Sequence, residues 1–340
     1  MTRGALDALG DGVGRVYRAR VIVAGMWLVM LAVSLPATLL MRAGIAAHLG
    51  SSLAAEAAAD GVNYDWMVEF NQRAGAAGPL TPGVIGFAAV LDNLGAFFDR
   101  EPRALIATLT GAASLVVWLL LAGGLLDRLA RDRPTGVHGF CAVTGVFFFR
   151  FLRLAMVAAI AYGLVAGPFH TWLFGDIYDR LTREVTVERT AFLQRAGLYV
   201  VFAAALAGIN LLFDYAKIRA VVEDRRSMVW ALASAARFLR RNGSSTVLLY
   251  LVNLALAGLT IAAYAAVAPG AGAGALSTWS AFAIGQVYVL GRLWAKLVCW
   301  ASEIALFQSR LAHAGYVARA VPRWPDSAGI EAVTQTSANL

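Results

Sequence analysis

Six stretches of the chain stay apolar long enough to cross a bilayer, near 21–41, 104–126, 154–174, 191–213, 245–268 and 278–300. A hydrocarbon core about 30 Å thick takes roughly 20 apolar residues at a rise of about 1.5 Å each. The first run meets that length with no ionisable side chain from Val21 to Met41. It exceeds the apolar region of a secretory signal, about 7–15 residues. Arg42 closes it without a small-x-small cleavage pattern, so it reads as a retained first span. The pattern predicts an all-α, polytopic membrane protein of about six transmembrane helices.

Polar positions between the runs set the topology. With the N-terminus inside, inner segments hold nineteen Lys and Arg residues and outer segments seven, and Arg195, Arg292 and Lys296 fall within spans. Positive charge beside cytoplasmic helix ends orients a multi-pass protein, so both termini are expected in the cytoplasm. The expected organisation is a cytoplasmic segment over 1–20 and a six-helix membrane domain over 21–311. An extracytoplasmic helical insertion lies within it at 43–103, and a partly disordered cytoplasmic tail follows at 312–340. Single-cysteine labelling at Ala76 in a Cys-free background checks this: the cysteine should react from outside without opening the membrane. Reaction only after cytoplasmic access is opened reverses the assignment.

Composition agrees with the pattern. Hydrophobic residues make up 59% and charged residues 15%, against about 25% charged in soluble domains. The net charge of +8 follows from inner-face arginines and implies no nucleic-acid partner. Only Lys217 and Lys296 among the basic residues are lysine. With abundant Ala and Gly, this suggests a GC-rich bacterial genome and hence a bacterial inner membrane.

Two inner segments align without a gap at an offset of 87 residues. Asp127-Arg-Leu-Ala-Arg-Asp-Arg133 leads to Arg150-Phe-Leu-Arg153, and Asp214-Tyr-Ala-Lys-Ile-Arg219 leads to Arg237-Phe-Leu-Arg240. A shorter echo, Arg15-Val-Tyr-Arg18, precedes the first span. Such repeats mark a unit that buries its apolar face against copies of itself. The unit is an amphipathic elbow followed by a span. In 228–241, Ser227 is placed to cap the helix, while Val229, Leu232, Ala236 and Leu239 share one face. Arg237, Arg240 and Arg241 crowd the C-terminal end, favourable to the helix dipole. Such elbows would lie in the inner interface with Trp230 at headgroup depth. Arg150, Arg153, Arg237, Arg240 and Arg241 are then candidate lipid-headgroup contacts.

This elbow-plus-span repeat, with Glu223-Asp-Arg-Arg-Ser227 leading into Ala-Arg-Phe-Leu-Arg-Arg241, resembles the six-span membrane domain attached to some bacterial glycerophosphodiester phosphodiesterases, and related uncharacterised bacterial membrane families. The resemblance covers about 210–270 and implies architecture only, because the catalytic barrel with its metal-binding His and Glu residues is not present in this chain.

Three helical pieces are predicted outside, over 43–59, 64–74 and 81–99. The acidic residues there (Asp60, Asp65, Glu69, Asp92, Asp99) lack calcium-loop spacing and read as a solvated face. The four histidines fall on both sides of the membrane, against a metal cluster. Cys141 and Cys299 sit in apolar surroundings without disulfide or metal spacing. No nucleotide loop or nucleophile elbow is present in the sequence, so no enzyme and no cofactor are expected.

The sharpest chemistry is in the last span, where Arg292, Lys296 and Glu303 fall within about 40° of one another on a helix. Intramembrane charges mark a functional hypothesis. A structural reading competes: Lys296 pairing with Glu303, Arg292 snorkelling, and Trp294 and Trp300 at the interface. The sequence favours that second reading. The expected function is a non-enzymatic membrane protein that scaffolds or organises lipids or partner proteins through its basic elbows, with membrane lipids and other membrane proteins as partners. A small transporter or channel using the last-span charges is the alternative, and an accessory subunit of a larger membrane complex the second.

Overall fold

The computed structural model describes residues 4–50, 52–53, 55, 63–75, 78, 86–101, 103–268 and 275–311. The expected tail at 312–340, the first residues of the expected 81–99 helix, Asp60 and residues 269–274 lie outside them. Helices run in the order α1 (Ala5–Arg18), α2 (Arg20–Leu49), α3 (Tyr64–Arg73), α4 (Gly86–Asp99), α5 (Leu105–Arg131) and α6 (Val137–Leu164). Two π-helical turns, Val165–Phe169 and Trp172–Ile177, lead from α6 to α7 (Tyr178–Thr182). Then come α8 (Glu188–Val222), α9 (Met228–Val267) and α10 (Ala275–Arg310). Among the described residues no strand occurs, and six helical segments are long and apolar enough to cross a membrane. The protein is a multi-pass integral membrane protein.

The helices outrun the apolar windows. The first span continues through Arg42 to Leu49, so no separate helix begins at 43. The fourth runs on to Val222 and the sixth to Arg310. Each is held by backbone hydrogen bonds and tertiary packing, which do not stop where hydropathy falls. Pro168 does not end the third span. Its ring cannot supply an N–H donor, and the helix widens into π turns around it and goes on to Thr182.

The repeat has a three-dimensional meaning. Each copy is an elbow, a span and a returning span: α1, α2 and α5; the start of α6, its remainder and α8; the start of α9, its remainder and α10. The elbow-to-span break has nearly the same backbone geometry in two copies, φ −108°, ψ 24° at Ala19 and φ −121°, ψ 24° at Asn242. The elbow of α6 packs on α5, that of α9 on α8, and α1 on α10. Every elbow thus docks on the returning span of the copy before it, and the first closes a ring by docking on the last.

Small residues permit this docking. α1 presents Ala5, Ala8, Gly12 and Val16, a buried stripe at three- and four-residue spacing. A β-carbon on Gly12 would lie 2.7 Å from the Ser302 backbone nitrogen of α10. In α5, Gly123 and Gly124 lie equally close against Phe147 and Thr144. In the third copy the contact is aromatic, with Tyr215 and Phe238 rings 5.2 Å apart. The turn that ends a returning span also grips the elbow of its own copy. Asp132 and Asp224 are both left-handed (φ 50° and 48°), and they hold Arg18 at 2.6 Å and Arg150 at 2.5 Å.

The tightly packed core therefore sits at the elbow end, built from Leu125, Phe151, Tyr215, Ile218, Leu297 and Phe307 among others. Toward the far end the spans expose aliphatic side chains outward, as at Leu115, Ile160, Val200 and Leu259. Lipid tails solvate those side chains as well as a protein interior would, so nothing drives the spans together there. The predicted elbow face is offset in the structure. Met228, Ala231, Ala235 and Phe238 are buried, while Val229 is 70% exposed beside the equally outward Trp230.

The two helices between the first and second spans, α3 and α4, are pinned to the spans. Asn63 caps α3 by accepting from the Trp66 N–H at 3.0 Å, and Met67 and Phe70 pack on Met41, Ile45 and Ile106. Phe98 of α4 meets Phe202 of α8 edge-on at 5.9 Å. Three of the acidic residues read as solvated have arginine partners: Glu69 with Arg73 at 3.1 Å, Asp92 with Arg103 at 2.6 Å and Asp99 with Arg195 at 3.3 Å. Arg195 is thereby held by α4 as well as reaching outward.

Candidate functional site: a cationic cavity inside the bundle

Because the spans converge only at the elbow end, they leave between them a partly open cavity of about 1220 Å³ that all six line. Most of the lining is apolar, as at Leu31, Leu115, Ala158 and Leu254. Its ionisable lining side chains include Lys217, Arg292 and Lys296, and among the described residues no carboxylate lines it.

One carboxylate organises the cationic end from behind. Asp214, 1% exposed, accepts from Lys217 and from Lys296 Nζ at 3.3 Å. It also accepts from Trp300 Nε1 at 3.2 Å and Asn210 Nδ2 at 3.2 Å. Both ammonium groups lie over the Trp300 ring, each 5.1 Å from its centre. Coulomb attraction, hydrogen bonding and cation–π contact thus act together on a fully buried carboxylate, while the two ammonium groups stay partly open to the cavity. Asn210 continues the network to the Tyr250 hydroxyl at 3.4 Å. Across the cavity, Asn253 donates to Ser302 at 3.1 Å and Trp27 to Gln286 at 2.8 Å, so polar side chains tie neighbouring spans together.

The last-span charges divide. Arg292 and Lys296 enter the cavity wall, and Arg292 lies over the Tyr288 ring at 5.6 Å. Glu303 does not join them. It is 1% exposed, with one oxygen 3.6 Å from Cys299 Sγ and the other without a hydrogen-bond partner. The expected Lys296–Glu303 pair is therefore replaced by Lys296–Asp214, because α8 extends past its apolar window and brings Asp214 alongside α10. Trp300 is likewise a core residue at 3% exposure, its N–H satisfied internally, and not an interfacial anchor.

Sequence reasoning missed Asp214, Lys217 and Asn210. Asp214 stands one residue beyond the predicted end of the fourth span and was counted with the inner loop. Its place at the head of the 87-residue repeat was the available signal.

The elbow arginines occupy three kinds of place. Arg150 is engaged by Asp224, by the Arg225 carbonyl at 3.3 Å and over the Phe147 ring at 4.9 Å, which leaves little of it for a headgroup. Arg153, Arg237, Arg240 and Arg241 are exposed. Arg237 and Arg241 line a separate recess at the elbow end. Among the described residues, no group of three His, Cys, Asp or Glu side chains could hold a metal ion. No family model matches the chain, and neither does any curated protein or solved structure.

Proposed function

We propose that this is a non-enzymatic, lipid-handling membrane protein whose bundle takes in an anionic amphiphile. The acidic head would lie against Lys217, Arg292 and Lys296, and the hydrocarbon would run along the apolar spans. The single observation that carries this reading is the cavity lined by three cations and no carboxylate inside an otherwise apolar bundle. Asp214 offsets part of that charge, and an anion completes the balance. Burying cations in a membrane interior is costly unless a partner meets them, so their surplus points to a negatively charged guest.

A second reading, passage across the membrane instead of residence in it, draws on length. Gln286 and Trp300 both line the cavity, and at a helical rise of 1.5 Å they stand about 21 Å apart along α10. That is much of a bilayer core about 30 Å thick.

Native mass spectrometry of protein released from mixed zwitterionic and anionic nanodiscs tests the proposal. The wild type should retain anionic lipid. Arg292→Leu should lower that retention by about tenfold, the loss of one charge-assisted contact, and Ala158→Trp should abolish it by filling the cavity. Equal lipid retention by all three proteins would sink the idea. Flipping of a fluorescent anionic lipid in proteoliposomes by the wild type, but not by Ala158→Trp, would favour passage.

A further inference from the structure

A second cluster of positive charge lies outside this cavity. The end of α8, the turn that follows and the elbow of α9 surround a recess of about 270 Å³. Four guanidinium groups line it, those of Arg219, Arg225, Arg237 and Arg241, with the Trp230 indole and Asn242 beside them. Arginines that merely obey the positive-inside bias scatter along a rim. These four come from three consecutive segments and converge on one hollow.

Three of the groups are held in place. Arg219 donates through Nε to Glu223 at 2.9 Å and through Nη1 to the Ser234 carbonyl at 2.9 Å. Arg225 donates through Nε to the same Glu223 oxygen at 2.8 Å. Arg237 donates to the Ser234 hydroxyl at 3.0 Å. The α9 break at Asn242 forms part of the wall, and its amide closes on the Phe238 carbonyl at 3.1 Å. The turn itself is fixed from outside by the Arg150–Asp224 pair. Four cations thus face one buried carboxylate, Glu223, which two of them already share. Arg225 keeps both terminal nitrogens as a fork of parallel donors and Arg219 keeps Nη2, an array suited to two or three oxygens on one atom.

We propose that this recess is a binding site for a phosphate monoester, either the head of an anionic lipid or a soluble phosphate. A monoester carries close to two negative charges at neutral pH and three strong acceptor oxygens, which matches a surplus of three cations better than a single carboxylate does. The volume admits a phosphorylated head and little more, and the exposed Trp230 at its edge suits a position at headgroup level. The proposal does not rest on occupancy of the cavity between the spans.

The test uses the full chain in zwitterionic nanodiscs. One arm titrates inorganic phosphate by calorimetry. The other adds phosphatidic acid, a monoester, or phosphatidylglycerol, a diester, and reads retained lipid by native mass spectrometry. Phosphatidic acid or inorganic phosphate should bind, and the diester should bind about tenfold more weakly. Arg237→Gln with Arg241→Gln should weaken the monoester by about ten- to a hundredfold, as expected for charged hydrogen bonds. Arg153→Gln with Arg240→Gln removes the same charge outside the recess and should change little. Arg237→Lys with Arg241→Lys keeps the charge without the forks and should recover part of the binding, which separates lost contacts from lost folding. A signal in the lipid arm alone assigns a headgroup, and one in the phosphate arm a soluble ligand; either supports the site. If both glutamine pairs weaken binding equally, the attraction is diffuse surface charge and the proposal fails. It fails too if neither probe binds.

Discussion

Asp214→Ala is expected to destabilise the protein by about 3 kcal/mol, the lower end of the range for breaking a buried ion pair. The side chain is fully enclosed and accepts from Lys217, Lys296, Trp300 and Asn210. Removing it leaves two ammonium groups and an indole N–H facing one another without an acceptor. The two lysines remain partly open to the cavity, which moderates the loss. Thermal unfolding in detergent should show a midpoint well below that of Asp65→Ala, a change at an exposed acidic residue of α3. Adding Lys296→Met to the Asp214 variant should recover part of the difference, because an apolar side chain of similar length needs no counter-charge. If the single and double variants unfold together, the lysines are not held by Asp214 and the organisation of the cationic end described above is wrong.

The way Asp214 escaped notice explains how much of the molecule the sequence discloses. Spanning helices are legible because roughly twenty consecutive apolar residues have few other physical meanings. Their ends are not, since a helix continues wherever its backbone is paired and its side chains are packed. At the elbow end the helices leave the apolar windows together and pack on one another, so Asp214, Lys217 and Glu303 sit in protein where a hydropathy profile shows the start of a loop. Trp300 misled for a related reason. An indole prefers the interface only when no internal acceptor is available, and Asp214 on a different helix supplies one. Lys296 could be matched with Glu303 from helical periodicity, but its partner lies 82 positions away, and periodicity carries no information between helices.

The repeat gave a stronger signal than its motifs. Arg15-Val-Tyr-Arg18, Arg150-Phe-Leu-Arg153 and Arg237-Phe-Leu-Arg240 mark three elbows, and the structure contains three. Which surface each elbow covers depends on contacts between copies, and short arginine motifs do not encode those. Close-packed glycines do, once paired with what they face. Gly123 and Gly124 meet the Phe147 elbow and Gly12 meets Ser302, while Gly10 and Gly111 of the same helices face open space. The arginines that looked alike on the page separate on the same grounds: Arg150 is consumed by a turn, Arg237 and Arg241 by a recess, and Arg153 and Arg240 by neither.

The closure of the ring at Gly12 yields a prediction in which one substitution has opposite signs two residues apart. Gly10 and Gly12 both lie inside α1. A methyl group on Gly10 meets nothing within 4 Å, so Gly10→Ala should stabilise the protein by about 0.5–1 kcal/mol through the helix preference of alanine. A methyl group on Gly12 would lie 2.7 Å from the backbone nitrogen and 2.9 Å from the α-carbon of Ser302. Backbone in the middle of α10 cannot swing aside as a flexible side chain would, so α1 must lift away. Overpacking of this kind costs about 1–3 kcal/mol, and Gly12→Val should exceed Gly12→Ala. Lifting α1 also uncovers Ala5, Ala8 and Val16 and loosens Arg15, which donates to the Leu129 carbonyl at 3.0 Å and to Gln308 at 2.9 Å. Trypsin should then cut after Arg15 and Arg18 faster in the Gly12 variants than in the wild type, and more slowly in Gly10→Ala. Were Gly12→Ala as benign as Gly10→Ala in both unfolding and proteolysis, the first elbow would not be seated on the last span, and the ring of elbows would be open.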